Sequence, residues 1–253
     1  MKPPVGSIVT PDFVGYKNLV GYWLMNEGGG NKVFDLSGNA NHGAFVGDTH
    51  FVPGKFGSCL SFDGDDDVNC GVIIPELIDK TALSASMWIY IPSGGNANQR
   101  FFRYRRGTTT NFITFEKLNA TLRIGFQNLD ITSDDVQEFN WFLNRYDQWN
   151  HLAFTWDGST LTLYANSIEL GTATVEGSFD DLGDERDVEL GDTLQGQIDN
   201  VTVWNCALTA SEIAQLYVNP FRGIGERRGR AELIGYVAAA ADIAVLRRRI
   251  EAA

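Results

Sequence analysis

Apolar and polar residues alternate along most of the chain in short runs, and glycine, asparagine and aspartate separate one run from the next. An alternation with a period of two is typical of β-strands that bury one face, and frequent turn residues favour antiparallel hairpins. In "TWDGSTLTLY", Asp157 and Gly158 supply the positive φ that a tight hairpin turn needs. The pattern predicts strands at Leu19–Met25, Ser58–Asp63, Ser84–Ile91, Phe101–Arg105, Phe112–Lys117, Thr121–Gln127, His151–Asp157, Thr160–Asn166, Glu169–Val175, Asp187–Leu190 and Gln197–Asn205.

One short helix is predicted after the strands. Thr209 can serve as its N-cap with Glu212 three residues later, which is the spacing of a capping box, and Pro220 and Gly223 end it. Ahead of the strands, residues 1–17 contain three prolines and are expected to form an extended lead-in. The chain is therefore predicted to be all-β, a two-sheet antiparallel jelly-roll sandwich with a short closing helix.

A second helical stretch is predicted at residues 226–252, beyond the strands. Three roles are open to it: packing on its own sandwich, docking on a partner or a second copy, or lying on an anionic surface. We favour docking, which divides the chain into a lead-in at 1–17, a sandwich at 18–220 and a helical tail at 221–253. With Ala239 between the first two, apolar residues recur at alternating spacings of three and four, and the docking seam consists of Tyr236, Ile243, Leu246 and Ile250.

The charge of the chain narrows the possible partners. The net charge is −12, although residues 221–253 hold seven arginines against four acidic residues. A strongly acidic body disfavours nucleic acid and anionic membranes as main partners. The N-terminus lacks the apolar region of a signal peptide, and no stretch is apolar for long enough to span a membrane. The three cysteines are odd in number and form no CxxC pair, so we expect reduced and mostly buried thiols.

Five segments in order carry a resemblance to a known family. They are "NLVGYWLMNEGGGNKVFDLSGNANHGAF", "FVPGKFGSCLSFDGDDDVNCG", "LSASMWIYIP", "WNHLAFTWDGSTLTLYANSIELGTATV" and "GQIDNVTVWNCALTASEIAQLY". From Asn18 to Pro220 the chain resembles the concanavalin A-like lectin/glucanase superfamily, in its laminin-G-like (pentraxin-like) branch. The resemblance implies a jelly roll that binds carbohydrate or protein, often with a bound Ca²⁺. The same motifs also resemble modules that are common in bacteriophage structural proteins.

Calcium is the first candidate ligand. The resemblance implies that the "DLSGN" loop and the "GQIDNV" strand come close together, which would assemble Glu27, Asp35, Asn39 and Asp199 around one ion. Three carboxylates with carbonyl oxygens suit this cation, whose role would be to fix the loop on the sheet. The alternative is that Asp35 and Asn39 only make turn hydrogen bonds and that Asp199 pairs locally. A second acidic segment, Asp63–Asp67, is predicted to be a solvated hairpin tip.

Catalysis is the weaker candidate. "ERDVE" places Glu185, Asp187 and Glu189 on one face of a strand, as in the retaining glucanases of the same superfamily. Arg186 stands where those enzymes usually carry an apolar residue, and the chain is rich in acidic residues, so we interpret the match as chance. No catalytic residues are predicted.

The residues that contact a ligand are sought among aromatic side chains in the segments least like the family. Sugar sites combine aromatic faces with carboxylates or amides. The alternative is that such rings complete the core or bury a subunit contact. The candidate ligand contacts are Tyr104, Phe139, Trp141 and Tyr146.

Three functions remain at this point: a glycan-binding module, a virion structural or decoration protein, and a glycoside hydrolase. The expectation is a non-catalytic adhesion module of the phage type. Its partners would be a glycan or cell-surface polysaccharide and, through the C-terminal helix, other virion proteins or a second copy. A missing signal peptide favours exposure on a virion over a free, calcium-stabilised lectin, which is the alternative.

Overall fold

The protein is described by a computed structural model that covers residues 1–72, 82–106, 112–127, 135–139, 141, 144–175 and 186–225. The predicted tail helix, with its docking residues Tyr236, Ile243, Leu246 and Ile250, lies outside the described residues, as does Glu185. In the part of the chain that is described, no helix is both long and apolar enough to cross a membrane.

Two large antiparallel sheets form a jelly-roll sandwich, as the alternating pattern predicted. In sheet I the described strands are β3 (Lys32–Val33), β4 (Gly43–Val46), β7 (Asp67–Val72), β9 (Asn98–Arg106), β10 (Phe112–Leu118), β11 (Thr121–Gln127), β12 (Asp135–Phe139) and β16 (Arg186–Leu190). Their spatial order is β12-β11-β10-β9-β16-β7-β4-β3.

Sheet II contains β2 (Leu19–Trp23), β5 (His50–Pro53), β6 (Ser58–Asp63), β8 (Leu83–Tyr90), β13 (Trp149–Trp156), β14 (Thr160–Ala165), β15 (Ile168–Thr174) and β17 (Gln195–Trp204). Their order is β15-β14-β13-β8-β17-β6-β5, and β2 pairs with the far half of β17. A small third sheet joins β1 (Ile8–Val9) to β18 (Ile224–Gly225), and one helix, α1, spans Ala210–Val218.

The main core lies between the two sheets. In β8, Met87 and Ile89 point into this core, whereas Ser86 and Trp88 lie on the other face of the strand. Both faces of the strand are buried, which explains why the segment "SASMWIYI" contains no charged residue. Large rings fill the space between the sheets, among them Trp23 and Trp156, which are fully buried.

A second apolar layer covers the outer face of sheet II. It is built from the lead-in, β2, the end of β17 and α1, and it includes Phe13, Tyr22, Trp204, Leu208 and Ile213. Helix α1 begins with the predicted capping box, because the Thr209 side chain accepts from Glu212 N–H while the Glu212 carboxylate accepts from Thr209 N–H.

The folded body extends beyond the predicted sandwich boundaries of 18 and 220. The lead-in is not a loose extended arm, because β1 pairs with β18 and Thr10 N–H donates to Gly223 O over 2.7 Å. The segment 221–225 is likewise a turn and a strand rather than the start of a helical tail. These contacts were invisible in the sequence because each strand is only two residues long.

Candidate functional site

The loop after β3 is organised by one carboxylate. Asp35 accepts four hydrogen bonds, from Tyr22 N–H and Ser37 N–H at Oδ1 and from Ser37 Oγ–H and Asn41 N–H at Oδ2, over 2.6–3.0 Å. Its backbone also forms a bridge to Trp23, the last residue of β2. Asp35 therefore holds the loop on sheet II through hydrogen bonds from four protein donors.

Asn39 and Glu27 also make local bonds. The Asn39 amide donates to the carbonyls of Leu19 and Val20 at 3.0 and 2.9 Å. One oxygen of Glu27, Oε1, accepts from Phe34 N–H at 2.7 Å, while the other, Oε2, is buried without a hydrogen-bond partner. Both side chains thus support the same loop that Asp35 organises.

Asp199 lies in the middle of β17 and pairs with the lead-in. Its fully buried carboxylate forms an ion pair with the Lys2 ammonium and accepts from Phe56 N–H at 3.3 Å. Burial raises the pKa of Asp199 to about 6, while the positive charge of Lys2 counteracts this rise. Burial also lowers the pKa of Lys2. The pair is therefore held together against the desolvation of both charges.

The four predicted calcium ligands do not fit a shared ion in this arrangement. The oxygens of Asp35 are occupied by four protein donors, and the charge of Asp199 is already neutralised by Lys2. Among the described residues, the carboxylates that converge within 4.8 Å are those of Asp63, Asp65 and Asp66. Calcium at the predicted residues stays a prediction.

The Asp63–Asp67 segment is only partly the solvated tip that the sequence predicted. Asp63 and Asp65 are exposed, whereas Asp66 is buried. The Asp66 carboxylate accepts from Asp48 N–H at 2.5 Å and from Asp63 N–H at 2.9 Å. Asp66 therefore ties this hairpin to the neighbouring turn.

The predicted aromatic ligand contacts do not form one site. Tyr104 is 3% exposed and belongs to the core between the sheets, so its selection as a ligand contact was wrong. Trp141 and Tyr146 are half-buried and pack against that core, beneath the cations of Arg145 and Lys117. Their contact with a ligand stays a prediction, and the Phe139 side chain lies outside the described residues.

Charged side chains form an ion-pair network around the sheet I strands β9, β10, β11 and β16. Glu189, from the glucanase-like pattern, is 6% exposed and lies 3.4 Å from the guanidinium of Arg103. Arg103 also bonds Asp192 at 2.8 Å, and Asp192 in turn bonds Arg100. Of the pattern's other acids, Asp187 has no described side chain. The negative charge of Glu189 is thus paired with the guanidinium of Arg103.

A groove of about 690 Å³ lies between the lead-in and the Asp35 loop. One wall is formed by residues 4–9, and the other by the loop residues 34–38 with His42. Tyr16, Asn26 and Glu27 complete the lining. This lead-in groove brings two of the predicted ligand residues, Glu27 and Asp35, into one depression, although not around one point.

Three exposed apolar side chains line the lead-in groove. Val5, Tyr16 and Phe34 are 61%, 40% and 39% exposed, and all three line it. The Phe34 ring packs edge-on against His42 with centroids 5.3 Å apart, and Lys32 Nζ lies 4.8 Å from its centre. The groove therefore offers aromatic surface whose orientation is fixed by neighbouring side chains.

Polar groups border these rings. The His42 Nδ1 atom accepts from Asp35 N–H at 3.1 Å, which leaves the proton of the neutral imidazole on Nε2 as a donor. The Asn26 amide donates to Pro3 O at 2.7 Å and thereby holds the lead-in wall. Aromatic faces beside an imidazole N–H suit a ligand that carries both C–H faces and hydroxyls.

Sequence reasoning selected neither Tyr16 nor Phe34. The available signal was the position of Phe34 directly before Asp35, because an apolar residue that neighbours a buried anchor in a turn is forced outwards. Tyr16 gave no such signal, since its place depends on the folding of the lead-in onto sheet II.

A second groove of about 500 Å³ lies where β6 and β8 end and β17 begins. Tyr90, Gln197 and Ser61 line it together with residues 92–95. The Tyr90 ring is half-buried and packs at 5.8 Å from that of Trp149. The other aromatic residue of the lining, Phe62, is buried, so Tyr90 is the aromatic residue that this second groove offers for comparison.

Comparisons with solved structures agree with this fold. Domain 4 of AbnA, an extracellular arabinanase from Geobacillus stearothermophilus solved in complex with arabinotriose, aligns with a TM-score of 0.62 and 19% identity over 79% of this chain and 98% of that domain. The receptor-binding domain of botulinum neurotoxin mosaic serotype C/D gives a TM-score of 0.67 at 14% identity, over 81% of this chain and 51% of that one. The binding domain of Paraclostridial Mosquitocidal Protein 1 gives 0.60 at 15% identity, over 81% and 53%.

The chain thus spans almost all of the arabinanase domain but about half of the other two binding domains. At these identities the likeness shows the fold alone. A comparison of the sequence with curated proteins gives no significant match. A laminin-G family model, described as "Concanavalin A-like lectin/glucanases superfamily", matches residues 62–214, which is more than half of the chain. The chain therefore belongs to the laminin-G-like family of the concanavalin A-like lectin/glucanase superfamily.

Proposed function

We propose that the protein is a non-catalytic binding module that holds a carbohydrate chain in the lead-in groove. The observation that carries the proposal is the exposure of Tyr16 and Phe34, both at about two-fifths, in a depression that the exposed His42 also lines. Ligand sites are typically concave and combine aromatic rings with a few polar groups, as this depression does.

The chemistry of the groove favours a sugar over an apolar ligand. Pyranose and furanose rings have C–H faces that pack on aromatic rings and hydroxyls that bond to carboxylates and imidazoles. The groove supplies aromatic faces and the imidazole of His42 within one volume of about 690 Å³, which accommodates a short oligosaccharide. The arabinotriose complex of the similar arabinanase domain supports arabino-oligosaccharides as the first probe.

The non-catalytic part of the proposal rests on Glu189. Retaining glycosidases need two carboxylates that reach the substrate about 5–5.5 Å apart. Glu189 is buried and engaged by Arg103, so it is poorly placed for this work. The binding domains among the similar structures support the same conclusion.

We also propose that the module is a virion structural or decoration protein that presents its groove at the particle surface. The resemblance of its motifs to phage modules supports this role, and the tail at 226–253 would hold it to other virion proteins or to a second copy. The alternative is a free lectin. Flanking genes for capsid or tail proteins are expected, and recovery of the chain from purified particles would distinguish the two.

Affinity measurements on groove variants test the binding site. We expect arabinotriose, or a member of a panel of bacterial surface polysaccharides, to bind the wild-type protein in isothermal titration calorimetry. Tyr16→Ala and Phe34→Ala should each weaken binding about tenfold, because each removes one aromatic face. Tyr90→Ala, in the second groove, is the matched control and should bind normally. Loss of binding in Tyr90→Ala alone would place the ligand in the second groove and refute the proposed site.

A further inference from the structure

The ammonium of Lys2 occupies a cage of oxygen atoms contributed by separate parts of the chain. Nζ donates to the Met25 carbonyl at 3.2 Å and to the Ser58 carbonyl, and it pairs with the carboxylate of Asp199. The Lys2 side chain is 5% exposed and that of Asp199 is 0% exposed. The positive charge is therefore almost completely withdrawn from water and solvated by protein oxygens instead.

A fourth oxygen-bearing group faces the same charge. The carboxylate of Glu27 attracts the Lys2 ammonium, and its Oε2 atom is buried without a hydrogen-bond partner. Two carboxylates and two backbone carbonyls are the donor types that hold a hard cation such as Ca²⁺. Two of these four groups, Glu27 and Asp199, are also the residues for which the sequence predicted calcium.

We propose that the Lys2 ammonium takes the place of a bound metal ion in this oxygen cage. The cation of the site is then a side chain of the protein itself. The disagreement between the predicted ligand set and the observed ion pair then has a physical reason. A calcium ion and the ammonium cannot both lie against Asp199, because the two like charges would be in contact.

A covalently attached cation has a thermodynamic advantage over a free ion. Lys2 belongs to the chain, so its presence in the cage does not depend on the calcium concentration, whereas a bound ion stabilises only by mass action. Lys2 also fixes the start of the lead-in wall, since Pro3 O accepts from the Asn26 amide next to it. The cage thus closes the fold at the point where the lead-in groove begins, whichever ligand the groove takes.

Removal of Lys2 should convert the cage into a cation site. Lys2→Ala leaves Asp199 buried without its partner, and we expect Tm to fall by about 10 °C in a metal-free buffer. Millimolar CaCl2 should restore a large part of this loss in a saturable manner, and NaCl of equal ionic strength should not. The wild-type protein should show the same Tm in EDTA and in CaCl2. Lys17→Ala, which removes an exposed lysine of the same segment, is the matched control.

Two further variants make the result decisive. Lys2→Ala combined with Asp199→Asn should lose the calcium response, because the cage then lacks its central charge. If Lys2→Ala does not fold alone, refolding in CaCl2 but not in NaCl supports the proposal, and failure in both refutes it. A wild-type Tm that falls in EDTA, or a Lys2→Ala Tm that calcium leaves unchanged, also refutes it.

Discussion

The ring of Phe13 stacks on the ring of Tyr22, with centroids 5.0 Å apart and planes inclined by 23°. This contact joins the lead-in to the outer face of sheet II, and the same Phe13 ring also stacks on Trp204. The lead-in is therefore part of the hydrophobic structure of the domain and not a linker that precedes it. Its removal would expose the aromatic layer that covers β2 and β17.

Phe13→Ala should accordingly destabilise the domain strongly. Phe13 is 3% exposed, and truncation of a buried phenylalanine to alanine costs about 3–5 kcal/mol of unfolding free energy. Urea denaturation followed by tryptophan fluorescence measures the change. Tyr16→Ala, three residues away and exposed, is the control and should remain within about 0.5 kcal/mol of the wild type. Equal stabilities for Phe13→Ala and the wild type would mean that the lead-in does not pack as described.

A substitution at Asp35 can distinguish a hydrogen-bonding role of this residue from a metal-binding role. Asp35→Ala removes four hydrogen bonds from a buried position, so we expect a loss of about 2–4 kcal/mol. The loss should be equal in EDTA and in millimolar CaCl2 if the role of Asp35 is to accept its four hydrogen bonds from protein donors. Thermal unfolding in the two buffers provides the measurement. A destabilisation that appears only in calcium would identify Asp35 as a metal ligand after all.

The sequence predicted the long strands well and the short ones poorly. The alternation in Ser58–Asp63 and Thr121–Gln127 gave the observed bounds of β6 and β11, because burial on one face requires that spacing. The strand β4 escaped prediction since its first residue, Gly43, has no side chain to show the pattern. Glycine is nevertheless required there, as a Cβ atom would lie 2.4 Å from Val68 Cγ1.

The sequence pattern predicted only part of the candidate site. Asp35 was recognised because a turn rich in aspartate, serine, glycine and asparagine has a local signature. The partner of Asp199 could not be found in this way, since Lys2 reaches it from the opposite end of the described chain. Tyr104 was misjudged because a strand residue between arginines gives no sign of which face the core will cover.

His151 should make the stability of the domain sensitive to acid. Its Nε2 atom lies 2.7 Å from Ser86 Oγ, and the rings of Trp88 and Tyr217 enclose it at 5.3 and 5.8 Å. Burial lowers the pKa of His151 to about 3. Below pH 6.5 the unfolded chain binds a proton that the folded protein does not, so stability falls by about 1.4 kcal/mol per pH unit from this residue.

The comparison of the wild type with His151→Gln isolates this contribution. Glutamine is neutral throughout, so the unfolding free energy of the wild type relative to the variant should decline by about 3 kcal/mol between pH 6.5 and pH 4. Urea titrations at half-unit intervals measure the difference. A difference that is constant over this range would show that His151 is protonated normally in the folded state.

An activity assay on a Glu189 variant distinguishes a binding module from a glycosidase. The purified protein should release no reducing sugar from β-glucans or arabinan, and Glu189→Gln should leave oligosaccharide binding in the lead-in groove unchanged, because Glu189 bonds to Arg103 in sheet I instead of lining that groove. The variant should be slightly less stable, since it replaces a buried ion pair by a neutral amide. Turnover that disappears in Glu189→Gln or in Glu185→Gln would contradict the non-catalytic proposal.

The C-terminal residues should govern assembly. The structure indicates the residue after which the chain should be truncated to test this. Removal of residues 226–253 leaves β18 in place, whereas a cut after residue 220 also removes Phe221, whose ring packs 5.0 Å from that of Phe56. We therefore expect the 1–225 protein to keep the wild-type Tm and the 1–220 protein to unfold several degrees lower. This contrast replaces the sequence-based boundary at 220 with one at 225.

Light scattering of the full chain and of the 1–225 protein then tests the docking prediction. Burial of Tyr236, Ile243, Leu246 and Ile250 against a second chain would contribute about 1.5–3 kcal/mol for each fully buried side chain, which favours association. The full chain should be oligomeric, and the 1–225 protein should be monomeric and folded by circular dichroism. Ile243→Asp combined with Leu246→Asp should reproduce the monomer in the full chain, because charges in the seam cannot be buried without partners. A monomeric full chain whose 1–225 form is destabilised would instead mean that the tail packs on its own sandwich.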